Sequence, residues 1–123
     1  MTDGIFYVFA LVSDLERSKR FYGETLRWKL GTDERDVAGF AFGGGYLVLH
    51  ADDRPPAARQ YGGGMHVAVK VDDVDGEHVR LARLGVDVGE LRDQPWGERN
   101  FYFDDPDGYR WAYGQPARPG AAG

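Results

Sequence analysis

Apolar and polar positions follow one another along this chain in two similar rounds. Residues 5–12, Ile-Phe-Tyr-Val-Phe-Ala-Leu-Val, are β-branched, aromatic or small and run into Ser13-Asp14, which predicts a strand followed by a helix start. Leu15, Phe21, Tyr22 and Leu26 then recur near helical spacing, with Glu16, Arg17, Lys19 and Arg20 on the polar side. Gly31 closes a short segment around Trp28 and Leu30, and Phe40-Ala41-Phe42, Gly43–Gly45 and Tyr46-Leu47-Val48-Leu49 read as a hairpin. Residues 52–64, rich in Asp, Pro and Gly, read as a linker. The pattern then restarts. Met65 to Val71 predicts a strand, Asp73 caps a helix carrying Val74, Val79, Leu81 and Leu84, and Gly85 ends it before a short strand Val86-Asp87-Val88. Phe101-Tyr102-Phe103, the turn Asp105-Pro106-Asp107-Gly108 and Tyr109 to Tyr113 make a second hairpin.

The two rounds superimpose. Tyr7 to Asp14 lies over His66 to Asp73, an offset of 66 − 7 = 59, and Gly45 to Leu49 lies over Gly108 to Ala112, an offset of 108 − 45 = 63. The reading is therefore α+β, with two βαβββ repeats forming a curved mixed sheet around a central cleft and helices on the outer face. It is one domain over 1–123, with repeat one at 5–51, the linker at 52–64, repeat two at 65–114 and a flexible tail at 115–123. Strand alternation gives apolar rows Val8, Ala10, Val12 and Val67, Val69, Val71 for the helices to cover. The mixed rows Tyr7, Phe9, Leu11 and His66, Ala68, Lys70 face the cleft.

Composition narrows the function classes. A formal charge of -5 and a pI near 5.1 argue against nucleic acid and against anionic lipid as partners. No apolar run approaches the roughly 20 residues that span a bilayer, and Met1-Thr2-Asp3-Gly4 does not open a signal peptide, so the expected place is the cytoplasm. With no cysteine there is no disulfide, zinc finger or thiol nucleophile. The glycine runs 43–45 and 62–64 lack the strand-to-helix context and the lysine of a phosphate cradle. Ser13 and Ser18 sit at a helix start and on a helix, not on a nucleophile elbow.

The doubled unit, opening with Val-Ser-Asp-Leu-Glu-Arg-Ser-Lys-Arg-Phe-Tyr and closing with Asp-Pro-Asp-Gly-Tyr-Arg-Trp, resembles the vicinal oxygen chelate superfamily over residues 5–114. That group includes glyoxalase I, extradiol dioxygenases, fosfomycin-resistance enzymes and bleomycin-resistance proteins. The resemblance implies metal ligands at the start of each opening strand and near the end of each closing strand. Here those positions read Tyr7, Leu49, His66 and Ala112, of which only His66 is a normal ligand. A catalytic site wants about three protein ligands and an exchangeable water, so no metal and no other cofactor is expected. His50 would reach the cleft only through a bulge or a one-residue slip, and the slip would take Leu47 and Leu49 off that face. His78 reads as an exposed helix residue.

His66 has three readings: metal ligand, hydrogen-bonding group in the cleft, or structural histidine. It is also the acid/base candidate, with Tyr7 as its helper. Tyr7, Phe9, Phe40, Phe42, Leu47, Leu49, Phe101, Phe103 and Ala112 are placed along the cleft, with Trp96 on a Gly/Pro loop near its mouth. The rings suit stacking on a flat ligand, though aromatics also fill small cores. Arg99 and Arg110 face either the cleft, where a guanidinium can fork onto a carboxylate, or solvent. Trp111 and Tyr113 point to the helix, and Trp28 is core or dimer interface. The loop Pro95-Trp96-Gly97-Glu98-Arg99 before Asp-Pro-Asp-Gly looks most like the bleomycin-resistance branch. Two functions follow from the resemblance. One is a metal-independent protein binding a planar or aromatic natural product or antibiotic, as a homodimer. The other is a lyase, isomerase or dioxygenase using His66.

Overall fold

The computed structural model describes residues 2–118. The chain falls into two compact units, the first running to Tyr61 and the second beginning at Gly62.

The first unit contains β1 (Val8–Val12), α1 (Leu15–Arg20), β2 (Lys29–Asp33), β3 (Val37–Phe42) and β4 (Gly45–Ala51). Its sheet has the order β1-β4-β3-β2, with β1 parallel to β4 and the other neighbours antiparallel. Residues 5–7 were predicted as strand but precede β1, and Gly31 lies inside β2 rather than closing it. Asp14 starts α1, its carboxylate accepting the Arg17 amide at 3.1 Å. One π-helical turn, Phe21–Thr25, extends the helix, and Arg27 at φ 63° ends it. That turn swings Tyr22 onto Phe40, with ring centroids 6.0 Å apart, and sets Trp28 on Phe42 at 4.5 Å, nearly parallel. Trp28 is therefore core. Val12, Tyr22, Ala38, Phe40, Leu47 and Leu49 are almost wholly buried with it.

Beyond β4 the chain stays tied to this unit. The Asp52 side chain is inaccessible to solvent and accepts both the Arg54 guanidinium (2.9 and 2.8 Å) and the Tyr61 hydroxyl (2.7 Å). Pro56–Ala58 forms a single 3₁₀ turn inside that loop. The segment predicted as linker is thus partly structured.

The second unit contains β5 (His66–Lys70), α2 (Val74–Arg83), β6 (Arg92–Asp93), β7 (Glu98–Asp104) and β8 (Arg110–Pro116), in the order β5-β8-β7-β6. Asp73 caps α2 by accepting the Gly76 amide at 3.1 Å. Val86-Asp87-Val88, predicted as a strand, is not one. Gly85 turns at φ 87° and the Val86 amide bonds back to Leu81 at 3.0 Å, so the helix end takes a donor that a strand would have used. The sheet gains instead the two-residue β6. At the other end β8 continues through Gln115 and Pro116, which were assigned to the tail; residues 119–123 lie outside the described residues. Asp105 builds the β7–β8 turn, its carboxylate accepting the amides of Asp107 and Tyr109, both at 2.9 Å.

Candidate functional site

Each sheet has a face covered by its helix and an open face, and the strand register decides which side chains belong to which. In the first unit Ala10 and Val12 are buried beneath α1, and β4 sets Leu49 beside Ala10 and Leu47 beside Phe40. The open face therefore carries Phe9, Leu11, Tyr46, Val48 and His50. In the second unit His78 of α2 packs edge-on against Phe101 at 4.9 Å, which puts Phe101, Phe103, Trp111 and Tyr113 on the helix side. Its open face carries His66, Ala68, Lys70, Glu98, Asn100, Tyr102, Asp104, Arg110, Ala112 and Gly114.

This partition corrects several expectations. Phe40, Leu47, Leu49, Phe101 and Phe103 do not line an open face; all five lie in the helix-side core, at most 2% exposed. Phe42 is held by Trp28 on the same side. Phe101 and Phe103 take the side of Tyr113 and Trp111, their partners across the hairpin; for β3 and β4 the cause is a slip of one residue in the overlay of the closing strands. Val8 pairs with Leu47 and Val67 with Trp111, so the opening strands correspond at 67 − 8 = 59 but the closing strands at 111 − 47 = 64, not 63. Gly45 already belongs to β4, whereas Gly108 is still in the turn before β8. Gly45 and Gly108 are therefore not equivalent positions of the repeat. The partner of Ala112 is then Val48 (112 − 48 = 64), and His50 lies on the open face two residues farther along.

His50 needs no bulge to reach that face. Its Nδ1 lies 2.7 Å from the Ala51 carbonyl oxygen and its ring 6.3 Å from that of Phe9, which is half exposed. Tyr7, just before β1, is also half exposed, its ring edge-on to Phe6. Tyr46 lies flat over the open face with its hydroxyl 2.8 Å from Thr32 Oγ1. Gly31 and Gly39 make room for that ring; a Cβ at Gly39 would run into it.

On the second sheet His66 is exposed and meets Tyr102 edge-on, with centroids 5.3 Å apart. The Arg110 guanidinium sits 5.9 Å above the same Tyr102 ring and donates to Asp104 at 3.0 Å. That hydrogen bond, and then the Asp104 charge, raise the Arg110 pKa above the ordinary guanidinium value. Gly63, Gly64 and Met65 complete a depression of about 330 Å³ around His66 and Arg110. Ala112 forms part of the sheet beneath and is buried. Tyr102 escaped sequence reasoning because its neighbours Phe101 and Phe103 looked the better ligand contacts; its pairing with Ala112 reveals its side.

Farther along this face Glu98 Oε1 accepts the Trp96 indole N–H at 2.7 Å and the Asn100 amide at 3.1 Å, and Gln94 donates to Asn100 at 2.9 Å. Trp96 itself is 65% exposed. Arg99 points to the opposite face, where Asp75 and Asp93 hold it at 2.8 and 3.1 Å. Those hydrogen bonds, Asp75 first, push its pKa further up, and the arginine is a clamp at the start of α2 rather than an open-face group. His78, expected in solvent, is half-buried with Nε2 2.8 Å from the Gly89 carbonyl oxygen.

The residues present do not fit the divalent metal implied by the resemblance. With the register corrected, the four positions are Tyr7, Val48, His66 and Ala112: a phenol, one imidazole and two side chains without a donor. Among the described residues no three His, Cys, Asp or Glu side chains converge. No helix among the described residues is long and apolar enough to cross a membrane.

Comparison with known proteins agrees with the topology. Residues 4–113 match the model of the Glyoxalase/Bleomycin resistance protein/Dioxygenase superfamily. The chain is 33% identical over 107 residues to metallothiol transferase FosB of Lysinibacillus sphaericus (strain C3-41), covering 83% of this chain and 74% of that one. Among solved structures, a glyoxalase family protein from Bacillus anthracis superimposes with a TM-score of 0.81 at 21% identity, over 94% of this chain and 97% of the other. A glyoxalase/bleomycin resistance protein from Streptomyces sp. CB03234 is 32% identical with a TM-score of 0.70, over 89% of this chain and 97% of the other.

Proposed function

Because the chain belongs to the Glyoxalase/Bleomycin resistance protein/Dioxygenase superfamily, we propose that it is a binding protein of that family. On this reading it works without a metal and holds a flat, partly apolar natural product or antibiotic against its open sheet faces. The observation that carries the reading is the donor set. One imidazole among Tyr7, Val48, His66 and Ala112 cannot supply the roughly three protein ligands of a catalytic metal site. The exposed Trp96 indole and the half-exposed Phe9 and Tyr7 rings supply stacking surface instead. Elemental analysis of the purified protein should find well under one divalent metal ion per chain; a full equivalent lost in His66→Ala would overturn the metal-free reading. Binding of a planar ligand should change tryptophan fluorescence, and Trp96→Ala should remove most of that change.

One observation favours a second reading, catalysis. The Lysinibacillus sphaericus relative is named a transferase, and His66 is exposed beside a depression with Tyr102 and Arg110 around it. On that reading His66 is the general base. Turnover retained in His66→Ala would refute it.

The protein is proposed to act as a homodimer in the cytoplasm. β1 and β5 each lie at an edge of their own sheet, and Ile5 and Phe6 before β1 are 84% and 93% exposed, a surface suited to cover by a second copy. A monomer mass by light scattering at micromolar concentration would refute the dimer.

A further inference from the structure

The open face of the second sheet carries another depression, of about 360 Å³, with Ala68 and Gly114 among its floor residues and Lys70, Gly97, Glu98 and Pro116 around it. Its chemistry centres on Glu98. One carboxylate oxygen, Oε1, takes two hydrogen bonds, from the Trp96 indole and from Asn100. Asn100 is 1% exposed and is fixed in turn by Gln94. The other oxygen, Oε2, receives no hydrogen bond from the described residues and lies over Gly114, where a Cβ would displace it. Lys70 lines the same depression, with no ion pair to Glu98 among the described residues. The carboxylate is thus oriented by neutral donors and left with one oxygen to give.

We propose that Glu98 anchors a protonated amine on the ligand, whose flat ring lies against the exposed face of Trp96. The inference rests on the binding reading above and adds a charge to it. An ammonium donates a charge-assisted hydrogen bond to Oε2, while the ligand's ring stacks on the indole face. Because the indole N–H is bonded to the same carboxylate, ring face and anion are held in one fixed relation, which reduces the ordering cost of binding. Trp96, two-thirds exposed on the Gly97 turn, would otherwise be an unexplained apolar surface.

The test uses two three-ring probes of similar shape, cationic proflavine and neutral acridone, titrated against tryptophan fluorescence. Trp28 and Trp111 are 9% and 3% exposed, so quenching reports mainly on Trp96. The wild-type protein should bind proflavine about tenfold more tightly than acridone, the size expected of one hydrogen bond to a charged group. Glu98→Gln keeps an acceptor for Trp96 and Asn100 and should bring the two probes within about twofold of each other. Lys70→Met, which removes a like charge, should tighten proflavine alone. Equal quenching by both probes in the wild type would overturn the amine anchor while leaving the planar-ligand reading in place. Quenching by neither would overturn both. A proflavine preference that survives in Glu98→Gln, with an unchanged circular dichroism spectrum, would remove Glu98 from the role. Should that variant fail to fold, the Lys70→Met result alone decides, and an unaltered proflavine affinity there counts against the proposal.

Discussion

Replacing Leu49 with alanine, beside the same replacement at Val48, tests the register of β4 directly. The two residues are adjacent, but one is 0% exposed beneath the helix and the other lies part-exposed on the open face. Leu49→Ala removes three carbons, about 0.8 kcal/mol each or about 2.4 kcal/mol of lost burial. The cavity left among tightly packed neighbours raises the cost to about 3 kcal/mol. Val48→Ala removes two carbons from a surface that water already reaches, and should cost below about 1 kcal/mol. Urea unfolding, followed by circular dichroism, measures both, and similar slopes against urea would show that the same surface is exposed in each variant. If Val48→Ala costs as much as Leu49→Ala, the closing strand has the other register, and the assignment of Val48 opposite Ala112 fails with it.

Three further outcomes follow from the geometry. Ser18 is fully buried with a hydroxyl that finds no partner among the described residues, so Ser18→Ala should leave stability unchanged or raise it by about 1 kcal/mol; clear destabilisation in urea would mean the hydroxyl is satisfied after all. Gly39→Ala should lower the thermal midpoint and restrict Tyr46, because the new methyl group occupies the space of the ring; an unshifted midpoint would mean that Tyr46 does not lie over Gly39 in solution. Asp52 is held well below the ordinary aspartate value of 3.8, first by its hydrogen bonds from the Arg54 guanidinium, with the Tyr61 hydroxyl adding to them against the opposing effect of burial. A depressed pKa contributes stability that is present in full above the unfolded value and is lost as pH falls through the folded one. Asp52→Asn should therefore destabilise the protein at pH 7, and its deficit should shrink as the pH is taken from about 5 toward 2. A deficit independent of pH would show that the clamp works by shape rather than charge.

The repeat and its sequence of elements were legible because each rests on a local rule. Asp14 and Asp73 cap helices, Asp105 builds its turn, and apolar rows mark the covered strand faces. The faces of β3, β4 and β7 were not legible, because a strand's side-chain period is two and any miscount inverts it. The two hairpin turns differ in length, so the equivalence of Gly45 with Gly108 shifts the frame of Gly45 to Leu49 by one residue. Arg99 and His78 were missed for a different reason. Their partners, Asp75 with Asp93 and the Gly89 carbonyl, come from elements whose approach no local pattern encodes. Glu98 entered the sequence reading only as a member of the loop 95–99, with no role of its own. The buried Asn100 two residues on was the available hint, since a buried amide must find partners.

The position of Glu98 over Gly114 has a consequence for how such a site changes by descent. The carboxylate occupies the volume that any side chain at residue 114 would claim. Residues sixteen apart in the chain (114 − 98 = 16) are therefore bound by a single steric condition. A side chain added at residue 114 must move the Glu98 carboxylate, whereas a replacement at 98 meets no such condition. The anion can be expelled from below, by one methyl group added to β8, without touching the acid itself. A lineage could shed its charge preference through residue 114 while keeping Trp96, Glu98 and Asn100 intact, so an inventory of those three residues would overlook the change.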